Sequence, residues 1–289
     1  MLEIILDEFH FSTLWNGGIL IYMGFIFIIY FLLLPQDFKY PLWKQVAFVL
    51  GMVAVFAALG SPINVIARIK FSIHILQLIL LLLIAPPLLI IGFKNEIFER
   101  ARKVKILGSI LKFLSKPIVG FLAFFVLFYW YHVASVFNHA RLDLFINYLF
   151  MLALLFVGIL LWLPIISPSK LNKNRKRVYI LLSIIFLIPY GLILLFQDQS
   201  LYLVYTDVEM FMQSLAVCMP SIKEIPPEFA AALLPYNPVE EQFQGGMMLV
   251  LSQLVIFGIA FIVGPKYSKQ WASNICSLST IKSRTTGNV

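Results

Sequence analysis

Charge is scarce in this chain of 289 residues: 12% are Asp, Glu, Lys or Arg, against 61% apolar. A soluble domain carries about 25% charged residues, so a soluble globule is excluded. Cysteine is nearly missing, with two in all. Cys218 falls in the last long polar connection and Cys276 beyond the final apolar run, so a bilayer would separate them, and on that topology no disulfide forms within the chain. The four histidines include no H-x-x-x-H pair, and there is no paired-Cys motif, so no compact metal signature is present. Also missing are a phosphate-binding glycine loop, a serine in a nucleophile elbow, and two carboxylates within one apolar run. Those absences argue against an enzyme. Residues Met1–Asn16 carry Glu3, Asp7 and Glu8 but no lysine or arginine. That is the reverse of a signal peptide's basic start, so no cleavable signal is expected.

What the chain does have is seven long apolar runs, at Gly17–Leu34, Val46–Ile66, Ser72–Ile91, Pro117–Phe137, Leu142–Ile166, Val178–Phe196 and Gly246–Val263. Each approaches the ~20 residues a helix needs to cross a bilayer core. With the N-terminus placed outside, 18 of the 22 basic residues fall in inner loops, leaving Arg68, Lys70, Arg141 and Lys223 outside. Basic residues near span ends set orientation. The expected fold is an all-α polytopic membrane protein with seven transmembrane helices, N-terminus outside and C-terminus inside. It divides into an outer segment 1–16, a membrane domain 17–266 with a long outer loop 197–244, and an inner tail 267–289. The net charge of +8 follows from retention of basic loops on the inner face of a cell membrane beside anionic lipid. Nucleic acid is not an expected partner.

Several runs are interrupted. Pro86-Pro87 should kink or end the third span, and Pro189 with Gly191 should bend the sixth. Phe93–Ser115 alternates basic and apolar residues at helical spacing, which predicts a basic amphipathic helix on the inner surface. Leu201–Met219 is too polar to span and reads as a helix at the interface or packed into the outer mouth. The prolines at 220, 226, 227, 235 and 238 predict an extended crossing after it.

Depth along each span sends the unusual polar and sulfur groups to the outer mouth. His74 lies near the outer end of span three and His132 near that of span four. Asn147 and Met151 share a helical face in span five. Cys218 and Met219 belong to the outer loop, and Glu241-Gln242 precede span seven. Imidazole, thiolate and thioether together suit cuprous copper. The plain alternative is that the histidines satisfy buried hydrogen bonds and the methionines only pack. A transporter of copper or a small solute is the rival function, since broken helices serve such proteins, but the interior lacks acidic residues at mid-membrane.

Four segments in order resemble the CtaG family of cytochrome c oxidase assembly proteins, particularly its Gram-positive branch. They are FSIHILQLILLLLIAPPLLIIG at Phe71–Gly92; KPIVG, YWYHV and GILLWLP within Lys116–Pro164; SLAVCMP at Ser214–Pro220; and EEQFQGGMM at Glu240–Met248. The resemblance implies a membrane assembly factor for a haem-copper oxidase, with oxidase subunits as partners, aiding copper-centre maturation. In much of the wider family a second His follows the first by one turn in span three, where this chain has Leu78. The family's fifth-span His pair aligns with Asn147 and Met151, and Glu241 stands where Asp is usual. The orientation has a direct check. A membrane-impermeant thiol reagent on intact cells should spare Cys276, and labelling of Cys276 from outside would reverse the topology.

Overall fold

The structure is a computed structural model that describes residues 10–33, 40–94, 102–167, 171–218 and 236–285, with side chains of the last helix described as far as Val263. All regular structure among these residues is helical, as it must be where backbone groups have no water to bond. The helices are α1 (Gly17–Ile28, continued by a wider π turn Ile29–Leu33), α2 (Leu42–Leu59), α3 (Pro62–Ile69), α4 (Phe71–Gly92), α5 (Lys105–Leu114), α6 (Pro117–Tyr131), α7 (Ala134–Leu142), α8 (Leu144–Ile166), α9 (Lys173–Phe196), α10 (Val208–Ala216) and α11 (Pro238–Thr285). Short polar side chains start five of them. Asn16, Ser61, Asp143, Asn172 and Asp207 each accept a bond from an amide in the first turn of α1, α3, α8, α9 and α10.

All seven apolar runs are helical. Five helices (α2, α4, α8, α9 and the Pro238–Val263 part of α11) are long and apolar enough to cross a membrane. A sixth span results if α5 and α6, bent by 70° from one another, count as one, and Gly17–Leu32 is a shorter apolar helix. Two of the expected spans are broken. The run Val46–Ile66 stops at Leu59, because Ser61-Pro62 caps and restarts the chain as α3. The run Pro117–Phe137 stops at Tyr131, and α7 follows after His132-Val133. The Leu201–Met219 segment is not one helix but a 3-10 turn at Leu203–Tyr205 followed by α10; Tyr202, Val204, Tyr205, Phe211 and Leu215 are buried. It packs into the bundle end. Of the expected amphipathic helix Phe93–Ser115, residues 95–101 lie outside the described residues and the helix that forms is α5; it has no buried residue and carries Ile106, Leu107, Ile110 and Phe113 exposed beside its lysines, the pattern of an amphipathic surface helix. The expected extended crossing at 220–235 lies outside the described residues.

Helix α4 is the central post, with 56% of its apolar window buried, the largest share of the five. It does not end at Pro86-Pro87. A π turn over Ile79–Ile84 precedes the prolines, and the helix runs on to Gly92. The Leu82 carbonyl would ordinarily accept from residue 86 or 87, and neither proline has an amide proton. Trp162 of α8 supplies the missing donor through Nε1 at 2.9 Å. Paired glycines set the position of α11: a β-carbon on Gly246 would meet Leu194 Cβ of α9 at 2.9 Å, and one on Gly245 would meet Ile75 of α4 at 2.9 Å. The two glycines therefore let α11 approach both neighbours closely. At the opposite end the buried Lys176 of α9 donates to the carbonyls of Ile165 at 3.2 Å and Ser167 at 3.0 Å, capping α8.

Trp162→Phe keeps the ring stack on Phe257 but strands the Leu82 carbonyl. It should lower stability by about 1 kcal/mol, seen as an earlier unfolding midpoint in detergent. Phe156→Leu, at an exposed apolar position, should leave the midpoint unchanged.

Candidate functional site

Three short helices, α3, α7 and α10, end at the same pole of the bundle, and the carbonyls of their last turns point at two arginines. Arg68 of α3 donates through Nη1 to the carbonyl of Arg141 at 2.7 Å and to that of Ser214 at 3.0 Å. Arg141 of α7 donates through Nη2 to the Ala67 carbonyl at 2.9 Å and to the Tyr205 hydroxyl at 3.2 Å. The pair is thus crossed, each guanidinium holding the helix end that bears the other. Helix C-termini favour cations, which is the physical reason these charges tolerate burial. Both side chains are 1% exposed, and no carboxylate pairs with either among the described residues. Burial is the main force pushing the Arg68 guanidinium below its usual value, and the Arg141 charge pushes the same way. Guanidinium basicity is high enough that both stay charged.

Beside the arginines lies an aromatic layer containing the two histidines. His74, at 0% exposure, and His132, at 8%, have ring centroids 6.3 Å apart. Phe137 stands 5.1 Å from the His74 ring, and Tyr190 stands 4.3 Å from that of His132. His74 Nδ1 lies 3.2 Å from Gln77 Oε1, and His132 Nδ1 lies 2.7 Å from the Phe128 carbonyl. Facing an oxygen that only accepts, each Nδ1 carries the proton, and each Nε2 is left with a lone pair. Among the described residues neither Nε2 has a partner, nor does the hydroxyl of the buried Tyr131 whose ring stands next to both imidazoles. Metal-binding imidazoles show this pattern, with one nitrogen donating to a carbonyl and the other free for the ion. With their centroids 6.3 Å apart, the two imidazoles are near neighbours within one buried layer. Among the described residues no third His, Cys, Asp or Glu completes a cluster.

The other expected site residues are distributed around this pair. Asn147 is fully buried and accepts from Arg141 Nη1 at 3.5 Å, with its own Nδ2 unpartnered. Met151, one turn further along α8, is fully buried in the main core. Cys218 packs instead against a separate cluster of Val65, Ile69, Phe211 and Leu215 where α10 meets α3. Met219 lies outside the described residues. Glu241 forms an ion pair with Lys70 at 3.0 Å and accepts from the amide of Ser72 at 3.3 Å and from its hydroxyl, so it caps α4 and ties α11 to it. Gln242 accepts from the Leu201 amide at 3.0 Å and donates to the Gln199 carbonyl at 3.4 Å, pinning the long loop to α11. A cleft of about 10 Å³ beside Tyr205, Tyr236 and Glu241 has room for one water.

Sequence reasoning missed Arg68, Arg141 and Tyr131 as members of this site, while Gln77 is legible as a polar group one turn deeper than His74. For the cations a signal existed. Of the four basic residues that broke the charge asymmetry, Arg68, Lys70 and Arg141 all stand here, each bonded to a second element.

An all-helical bundle with five or six apolar helices long enough to cross a membrane is a polytopic membrane protein. A family model for the cytochrome c oxidase caa3 assembly factor matches residues 25–265, most of the chain. The chain belongs to that family and is in this sense a cytochrome c oxidase assembly factor, which implies contact with oxidase components and points to a non-catalytic role. The family does not favour the transporter reading. No curated protein and no solved structure matches the chain.

The crossed arginines give a stability test. Arg68→Ala strands two buried carbonyls and should cost about 2–3 kcal/mol, read as a lowered unfolding midpoint and reduced membrane level. Arg141→Lys keeps the charge but not the fork whose Nη2 reaches Ala67 and Tyr205 while Nη1 reaches Asn147, and should recover less than half of the loss seen in Arg141→Ala.

Proposed function

We propose that this assembly factor serves copper-centre maturation of its haem-copper oxidase, and that His74 and His132 are the residues that hold the metal. The observation that carries the reading is the pair of buried imidazoles, 6.3 Å apart, each with Nδ1 committed to a carbonyl oxygen and Nε2 unpartnered. A merely structural buried histidine is expected to use both nitrogens, since an unmet polar atom costs free energy. Neutral imidazole is a fitting donor for copper, and the buried surroundings of aromatic rings suit the cuprous ion. Met151 is the soft group of α8 that could add to the pair; Cys218, packed elsewhere, is better placed to meet a client than to complete the pair.

The site lies at the end we read as outer, so copper would be handed over on the outer face of the cell membrane. With two imidazoles and no third His, Cys, Asp or Glu among the described residues, the ion would be held weakly enough to pass on, as an assembly factor requires. Crossed arginines hold α3, α7 and α10 around the pair, and Glu241 and Gln242 fasten α11 and the long loop over it.

Purified protein loaded with cuprous ion should retain it at up to one equivalent, and His74→Ala or His132→Ala should each lower the retained metal by at least about tenfold. In cells both variants should reduce active oxidase while leaving this protein's own level near normal, because single polar contacts between membrane helices contribute only about 0.6 kcal/mol. Normal oxidase in both variants would show that the histidines are structural.

A further inference from the structure

The break after α2 controls the protonation pattern of His74. Pro62 has no amide proton to give the carbonyl of Ala58, four residues earlier, and the amide of Ile63 is drawn to Ser61 Oγ at 3.2 Å rather than to the Leu59 carbonyl. Two carbonyls are therefore left over inside the bundle. Gln77 Nε2 donates to that of Ala58 at 2.7 Å, and the Tyr148 hydroxyl donates to that of Leu59 at 3.2 Å. A backbone carbonyl only accepts, so these contacts fix which way each neighbouring amide side chain must point. The end of Gln77 that meets Ala58 must be its NH2 group, whose second bond goes to Asn64 Oδ1 at 3.0 Å. Asn64 must then turn its own NH2 to the oxygen of Tyr148, at 3.1 Å. The opposite end of Gln77 must be Oε1, and it faces His74 Nδ1 at 3.2 Å.

The geometry points to a tautomer clamp: Gln77, oriented by the stranded Ala58 carbonyl and backed by Asn64 and Tyr148, holds His74 in the Nδ1–H form and keeps its Nε2 bare. Gln77 is a positioning residue in this arrangement. The clamp has work to do, since a neutral imidazole left to itself favours the Nε2–H form, in which Nε2 cannot ligate an ion or accept a bond. His132 reaches the same form by a different route, through the Phe128 carbonyl one turn back in its own helix. The tautomer assignment stands on hydrogen bonds alone; its consequence for metal rests on the reading of His74 as a ligand.

Imidazole nitrogen NMR on protein labelled at its four histidines, with His74 assigned by its loss in His74→Ala, tests the clamp without any metal. The wild type should show His74 protonated at Nδ1 and bare at Nε2. Gln77→Met, with its fold verified by helicity and elution volume, should convert His74 to the Nε2–H form or to an exchanging mixture. Tyr148→Phe, which removes the far end of the relay together with the donor to the Leu59 carbonyl and an acceptor for Asn16 Nδ2, should shift it part of the way and serves if Gln77→Met does not fold. A wild type with Nε2–H at His74, or variants that leave the Nδ1–H form intact, would overturn the clamp. Competition with a chromophoric cuprous chelator then separates the two ideas. Gln77→Met should weaken retention about tenfold or more. If His74→Ala leaves retention unchanged while Gln77→Met still switches the tautomer, the metal reading falls and the clamp stands.

Discussion

A carbonyl oxygen left without a donor is the constraint around which this bundle is arranged. Every helix that stops inside an apolar protein leaves such oxygens behind, and no water is at hand to meet them. Here the donors come from other elements. Gln77 and Tyr148 meet the end of α2, Arg141 that of α3, Arg68 those of α7 and α10, and Lys176 that of α8. Trp162 does the same for the Leu82 carbonyl, which Pro86-Pro87 leave without an amide donor within α4. These bonds join elements distant in sequence, so meeting the local need also fixes the tertiary arrangement.

That coupling explains why so many helices end at one pole. Breaking spans after Leu59 and Tyr131 places extra helix ends there, and each adds acceptors that polar side chains must fill. The cost of those breaks is met by arginine, glutamine and tyrosine, and the same side chains set the surroundings of His74 and His132. The other pole has fewer breaks and is dominated by lysine and surface helix.

Much of this was legible from residues and spacing. The run Ser72–Ile91 announced itself as a span, though the expected kink or end at Pro86-Pro87 became a π turn within a helix that runs on to Gly92, and counting depth along antiparallel spans was enough to put His74 and His132 at one level. The breaks were less legible. Average hydropathy passed over Ser61-Pro62, whose capping chemistry is local, and nothing in YWYHVAS marks the stop at Tyr131, which packing decides. The crossed arginines required contacts between residues 73 positions apart, beyond what any pattern in one sequence displays. Cys218 illustrates the opposite failure: it shares an end of the molecule with the histidines, yet it packs between other helices.

Chain order adds a consequence for biosynthesis. Arg68 finds one of its acceptors 146 residues later, at Ser214, and Lys70 finds its carboxylate on Glu241, near the start of the last helix. A chain made from its N-terminus therefore exposes these cations long before their partners exist. The early helices can enter the bilayer, but the pole around the histidines closes only when α10 and α11 emerge. The surroundings of the imidazole pair are completed last, as a final act of synthesis rather than as the seed of the fold.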